Sequence, residues 1–142
     1  MSTPLALFPL LALLAVPAPS QAAAIDVAVT NVTSTRGRIH VDICPQEKFL
    51  KEDCPYSAEA PATIGTTVVT VPDVPPGRYA AQVFHDRNGN GKVDRALFGI
   101  PTEPLGFSRD APVHMSPPKF ADAAFDHGSE RQRITLALRS FL

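Results

Sequence analysis

The chain has 142 residues, a formal net charge of −1, 44% hydrophobic residues, fifteen prolines and no tryptophan. A near-neutral chain without a basic stripe or an acidic tail excludes a nucleic-acid footprint and gives no sign of a charged-polymer partner. The length is enough for one domain with one core and too short for two.

Leu5 to Val16 is almost wholly apolar and is followed by Pro17, Pro19 and the small-residue run Gln21-Ala-Ala-Ala24. This pattern predicts a signal peptide over residues 1–24, cleaved after Ala22 or Ala24, and an apolar core too short to span a bilayer comfortably. The segment before it carries no Lys or Arg, so an apolar N-terminal helix or an uncleaved anchor is the alternative. No cysteine lies close behind the apolar core, which argues against a lipid anchor. The domain of residues 25–142, roughly 118 residues, is expected in the periplasm or medium, with no stable membrane span once the leader is gone.

Through that domain the apolar residues alternate. Ile25, Val27 and Val29 alternate with Asp26, Ala28 and Thr30, and Ile39, Val41 and Ile43 alternate with Arg38, His40 and Asp42. Each run predicts a strand with one buried face. Between the second and third strands lies Pro45 to Gly65, with room for a helical turn around Glu47 to Leu50. This segment also includes Cys54, separated from Cys44 by nine intervening residues. An even cysteine count in an exported chain predicts a Cys44–Cys54 disulfide, contributing about 2–3 kcal/mol by loop-closure entropy. A metal pair or redox site is the weaker reading, because the spacing is not Cys-x-x-Cys and neither cysteine adjoins a histidine.

Thr66 to Val71 is rich in β-branched residues, and Arg78 to Phe84 has the apolar character of a central strand. Ala121 to Phe125 reads as a short apolar strand, and Ile134, Leu136 and Leu138 alternate with Thr135, Ala137 and Arg139. Six or seven strands punctuated by proline and by the Pro75-Pro76-Gly77 turn predict an all-β fold, a single antiparallel β-sandwich of about seven strands.

The segment Asp86-Arg-Asn-Gly-Asn-Gly-Lys-Val-Asp94 places oxygen side chains at Asp86, Asn88 and Asn90, a glycine at Gly91 and a further carboxylate at Asp94. That is the order of the first half of an EF-hand calcium loop, in which every second residue offers an oxygen and a glycine permits the sharp turn. The closing bidentate Glu is replaced by Leu97, so Glu103, the Lys92 carbonyl and water are the expected remaining ligands. With few firm carboxylates, calcium affinity should be weak, on the order of 10⁻⁴–10⁻³ M. The same letters suit a metal-free hairpin, since Asn and Gly both tolerate positive φ. Both readings stand at this point.

His85 adjoins this loop and has Glu103 and Ser108 downstream, which raises a hydrolase as the alternative function. A zinc site would want several His or Cys ligands, yet His40, His114 and His127 are scattered. A structural role, in which the ring donates to a loop carbonyl and fixes the Asn-Gly turn, is the plainer expectation. Phe107 is expected as a core plug, and Asp122 either bonds the loop or stands at an exposed edge.

Several motifs recur in a known order and spacing: Pro76-Gly-Arg-Tyr-Ala80, Phe84 to Asp94, Phe98-Gly-Ile-Pro-Thr-Glu103, Gly106-Phe-Ser108 and Pro117 to Phe125. In these the chain resembles the bacterial exported proteins grouped as domain of unknown function 2141. The resemblance implies a β-sandwich of the transthyretin-like or carboxypeptidase-regulatory-like kind and implies no activity. It departs from the family pattern at Ala96 and Arg109, where the family often has Asn.

The leading functional expectation is a non-catalytic binding or accessory module of the bacterial envelope. Its loop, calcium-bound or bare, would present Thr102 to Arg109 to an envelope protein or a glycan.

Overall fold

A computed structural model describes residues 1–17, 21–96 and 99–141. Residues 1–17 are exposed and without regular secondary structure. The domain begins with β1 (Ala23–Val32), β2 (Arg38–Cys44), a 3-10 turn at Gln46–Lys48 and β3 (Tyr56–Pro61). It continues through β4 (Gly65–Val74), β5 (Gly77–Asp86) and β6 (Leu105–Phe107), then a 3-10 turn at Ser108–Asp110. The last elements are the single helical turn α1 (Phe120–Ala123), β7 (Phe125–His127) and β8 (Gln132–Ala137).

The strands form two sheets, as expected of a sandwich. One has the order β4-β1-β8; the other has the order β3-β2-β5-β6, with β7 paired to one end of β5. Every pairing is antiparallel except β1 with β8, which run parallel from Ile25 opposite Gln132 to Thr30 opposite Ala137. Parallel neighbours need a long crossover rather than a hairpin, and everything between β1 and β8 serves as that crossover. Local alternation carries no information about it.

Alternation does set the faces. Ile25, Val27 and Val29 of β1, Ile39, Val41 and Ile43 of β2, and Val69 and Val71 of β4 meet in one core between the sheets, all 0–1% exposed. Tyr79, Ala81 and Val83 of β5 join them, so the odd-numbered residues of β5 face inward and the even-numbered ones outward. The outward face is covered as well: Ala80 and Phe84 pack with Phe49, Phe107 and Ala123 in a second cluster. With both faces covered, β5 is buried along Tyr79 to Asp86 apart from half-buried Gln82, as a central strand should be.

Cys44 at the end of β2 and Cys54 are joined in a disulfide. This closes the segment containing Phe49, whose ring stands edge-on to Phe107 and Phe120, each centroid 5.8 Å away. Phe107 is buried as expected of a core plug.

The expected strand at Ala121 to Phe125 is a helical turn followed by β7 instead. Phe120 and Ala123 are three residues apart, so a turn of helix sets both against the second cluster, and strand alternation would separate them. A five-residue apolar run has no period of its own to decide the matter.

Candidate functional site

The Asn-Gly loop starts where β5 ends. Between β1 and β2, Gly37 adopts φ +68°, and a Cβ there would lie 2.0 Å from the Asp86 carbonyl oxygen. Only glycine lets this turn sit directly on the loop's first residues. Asp86 is 3% exposed and faces outward; its Oδ1 accepts from Asn90 N at 3.2 Å and its Oδ2 from Gly91 N at 2.8 Å. The Asn88 Oδ1 accepts from Asn90 N at 3.2 Å, and the Asn90 Oδ1 from Lys92 N at 3.0 Å. These side-chain acceptors hold the chain in successive tight turns that a backbone ladder cannot make, with Gly89 and Gly91 at φ +69° and +75°.

Asp94 closes the loop from the other side. Its carboxylate accepts from the Asn90 amide at 2.7 Å and from the Asn88 amide. Glu103, 5% exposed, reaches in from outside the loop: Oε2 accepts from Arg87 N at 2.7 Å and Oε1 from Asp94 N at 3.0 Å. One carboxylate therefore staples the first and last turns together.

The electrostatics divide accordingly. The amides of Asn90 and then Asn88 hold the Asp94 carboxyl below its ordinary value, whereas burial, reinforced by the nearby Asp94 carboxyl, pushes Glu103 up. Asp86, Asn88, Asn90, Lys92, Asp94 and Glu103 thus gather around one loop. They do so as a hydrogen-bonded set: among the described residues no three His, Cys, Asp or Glu side chains converge as a group able to hold a metal. Leu97, the residue at the twelfth loop position, and Phe98 lie outside the described residues.

The backbones at His85 and Pro104 are hydrogen-bonded at 2.9 Å, but the side chains of His85 and Glu103 have different partners. His85 is fully buried and faces the core between the sheets with Val83, and its Nε2 lies 2.6 Å from the Arg36 carbonyl oxygen. The ring does bond a loop carbonyl, but that loop is the one between β1 and β2, not the Asn-Gly turn. Ser108 is equally structural: its buried Oγ accepts from Ala81 N at 2.9 Å and donates to the Ala123 carbonyl. These placements separate the side chains that a His85–Glu103 hydrolase would combine.

The segment Thr102 to Arg109 is not a display surface either. Glu103 to Ser108 is buried throughout, because β6 pairs with β5 and Glu103 turns under the loop. Only Thr102 and Arg109 at its ends are exposed.

The concave feature near the loop is a cleft of about 270 Å³ on the outward face of the five-stranded sheet. Gly91 to Val93 and Arg95 form one wall, and Leu50 to Glu52 with Cys54 form the other. On its floor His40, Asp42 and Gln82 stand in register on β2 and β5, with Asp42 opposite Gln82 and His40 opposite Phe84. His40 Nε2 is 2.8 Å from Asp42 Oδ1, and Nδ1 is 3.2 Å from Glu59 Oε1. The hydrogen bond to Asp42 raises the His40 pKa above its usual 6.5 despite the ring's partial burial, and Glu59 adds to the effect. Gln82 Nε2 donates to Asp42 and to the Lys51 carbonyl, and its Oε1 accepts from Leu50 N. This one side chain ties the disulfide-closed segment to the sheet.

Neither His85 nor Glu103 lines the cleft. Sequence reasoning placed His40 and Asp42 on a strand's solvent side and missed them as a site. The available signal was three polar residues of like parity on two strands, legible only once those strands are known to pair.

No curated protein and no solved structure significantly matches the chain. Residues 27–135, which include most of both sheets, the loop and the cleft floor, match the family model described as "Uncharacterized protein conserved in bacteria (DUF2141)", and the chain belongs to that family.

Proposed function

We propose that this protein is a non-catalytic binding module of the bacterial envelope or medium, whose Asp86–Asp94 loop takes up calcium weakly and thereby stiffens one wall of the adjoining cleft. The observation that carries this reading is the loop's internal geometry. Oxygens from Asp86, Asn88, Asn90 and Asp94 follow one another at calcium-loop spacing around a left-handed Gly91, and Glu103 stands beside Asp94. For a cation to enter, Asp94 must release the two Asn amides it now accepts from. Two firm carboxylates and neutral amides offer a hard cation enough oxygen but too little charge for tight capture.

Export fits the remaining features. The first strand begins at Ala23, between the two expected cleavage positions after Ala22 and Ala24. The paired cysteines suit an oxidising compartment, and among the described residues no helix is long and apolar enough to cross a membrane. The binding reading is favoured over hydrolysis because the cleft holds neither His85 nor Glu103. The partner is an envelope protein or a glycan.

Calcium titration of the chelator-treated protein, followed by thermal unfolding and by calorimetry, tests the loop. Pull-down from native envelope extract, with and without calcium, tests the module.

A further inference from the structure

The cleft carries an uneven charge. Lys51, Lys92 and Arg95 line its rim, and none of the three forms an ion pair within 4.0 Å among the described residues. The Arg95 Nη1 donates to the Gly99 carbonyl at 2.9 Å. Two carboxylates, Asp42 and Glu52, share the cleft with these three cations, and Asp42 is already engaged by His40 and Gln82. In a chain of net charge −1, this is a local excess of positive charge over a concave surface. Walls of low polarisability around such charge focus the field into the cleft.

The walls are partly apolar. Leu50 is 47% exposed, and half-buried Val93 and buried Phe84 also line the cleft. Most floor polar groups are satisfied within the protein, Gln82 by three hydrogen bonds, so the floor positions little by itself. What remains for a ligand is cationic at the rim and apolar below.

We propose that this cleft binds a small organic anion, with its carboxylate or phosphate group met by Lys51, Lys92 and Arg95 and its apolar body lying against Leu50, Val93 and Phe84. The volume of about 270 Å³ suits a body of one ring or a short branched chain. The inference rests on reading the domain as a binding module and does not require the loop to hold calcium.

Backbone amide shifts of the ¹⁵N-labelled oxidised domain, titrated in chelator with benzoate, phenyl phosphate and uncharged benzyl alcohol, test it. Benzoate or phenyl phosphate should shift the amides of Lys51, Gln82, Lys92 and Val93 and saturate, and the stronger of the two identifies the head group. Benzyl alcohol should bind at least ~10-fold more weakly, and added salt should weaken the anions, because the contacts are exposed to screening. Lys51→Glu and Lys92→Glu, each with an otherwise unchanged amide spectrum, should each weaken benzoate ~5-fold or more. Benzyl alcohol binding as well as benzoate, charge reversals without effect, or no cleft shifts at ~20 mM of either anion would overturn the proposal. Repeating the benzoate titration at saturating calcium separates the two ideas, since anion binding without any calcium response sinks the loop reading alone, and the converse sinks the cleft reading alone.

Discussion

His85 and Asp86 are consecutive in β5 and stand on opposite faces of the five-stranded sheet. The ring of His85 enters the core and bonds the Arg36 carbonyl, while the carboxylate of Asp86 gathers the backbone N–H groups of Asn90 and Gly91 outside. The pleat of a strand forces this separation, since successive side chains point to opposite sides. Chemistry suggested by their adjacency in sequence is thereby divided between a sealed interior and a surface loop.

A stability role for His85 follows. His85→Ala opens a cavity in a site that is fully buried and removes a hydrogen bond, so unfolding in urea should show a loss of about 2–4 kcal/mol. The calcium response of the folded variant should persist, because no part of the ring faces the loop. A stable His85→Ala protein that has lost the calcium response would contradict this placement.

Calcium should stabilise the domain without being needed for folding. With a dissociation constant of about 1 mM, ~10 mM calcium adds RT ln 11, about 1.4 kcal/mol, and raises Tm by roughly 5–10 °C. Magnesium should do less, because it requires a tighter octahedral shell. Asp94→Ala should abolish the shift. Glu103→Gln should cost about 1–3 kcal/mol without any metal, since an amide offers N–H to one of the two backbone donors that Glu103 now accepts. An unchanged melting curve for the chelator-treated wild type at ~10 mM calcium would leave a metal-free hairpin.

The calcium shift should depend on pH through Glu103. Burial raises its folded pKa above 4.5, so the folded state holds this proton more tightly than the unfolded state does. The resulting stabilisation is present below 4.5 and is lost as pH rises through the folded value. Calcium competes with the same proton, so the shift in Tm should grow as pH rises through that value and fade in acid. A shift of constant size across the window would exclude Glu103 as a ligand.

His40 gives a second, separate pH dependence. Its bond to Asp42, supported by Glu59, raises the folded pKa above 6.5. That contribution is fully present below 6.5 and declines as pH rises through the folded value. Thermal unfolding across this range should show the decline, and His40→Gln should flatten it. An equal slope in the variant would assign the dependence to another group.

Export predicts a mature N-terminus at Ala23 and no free thiol. Cleavage after Ala22 keeps Ala23, which pairs with Val74 and whose carbonyl lies 3.2 Å from His127 Nε2; cleavage after Ala24 removes it. Intact mass of protein from periplasm or medium distinguishes the two sites and detects a retained leader. Replacing both cysteines by Ala should cost about 2–3 kcal/mol from the short closed loop. It should also loosen the Leu50–Lys51 wall that Gln82 anchors.

Alternation in β1, β2, β5 and β8, turn residues and the cysteine pair were legible from sequence because each depends on neighbours within a few positions. The oxygen spacing from Asp86 to Asp94 was equally local; Glu103 was named from sequence as a metal ligand, and in the structure its carboxylate accepts from Arg87 N and Asp94 N. Other features depended on pairing. The parallel register of β1 with β8, the burial of Glu103 to Ser108 beneath the loop and the separation of the His85 and Glu103 side chains all arise from contacts between segments far apart in the chain. The cleft is the fullest case. His40 and Asp42 look like solvated strand residues until β5 sets Gln82 beside Asp42 and the disulfide folds Leu50 and Lys51 over them. Periodicity reports which face of a strand is apolar, but only the assembled sheets decide what each polar face looks onto.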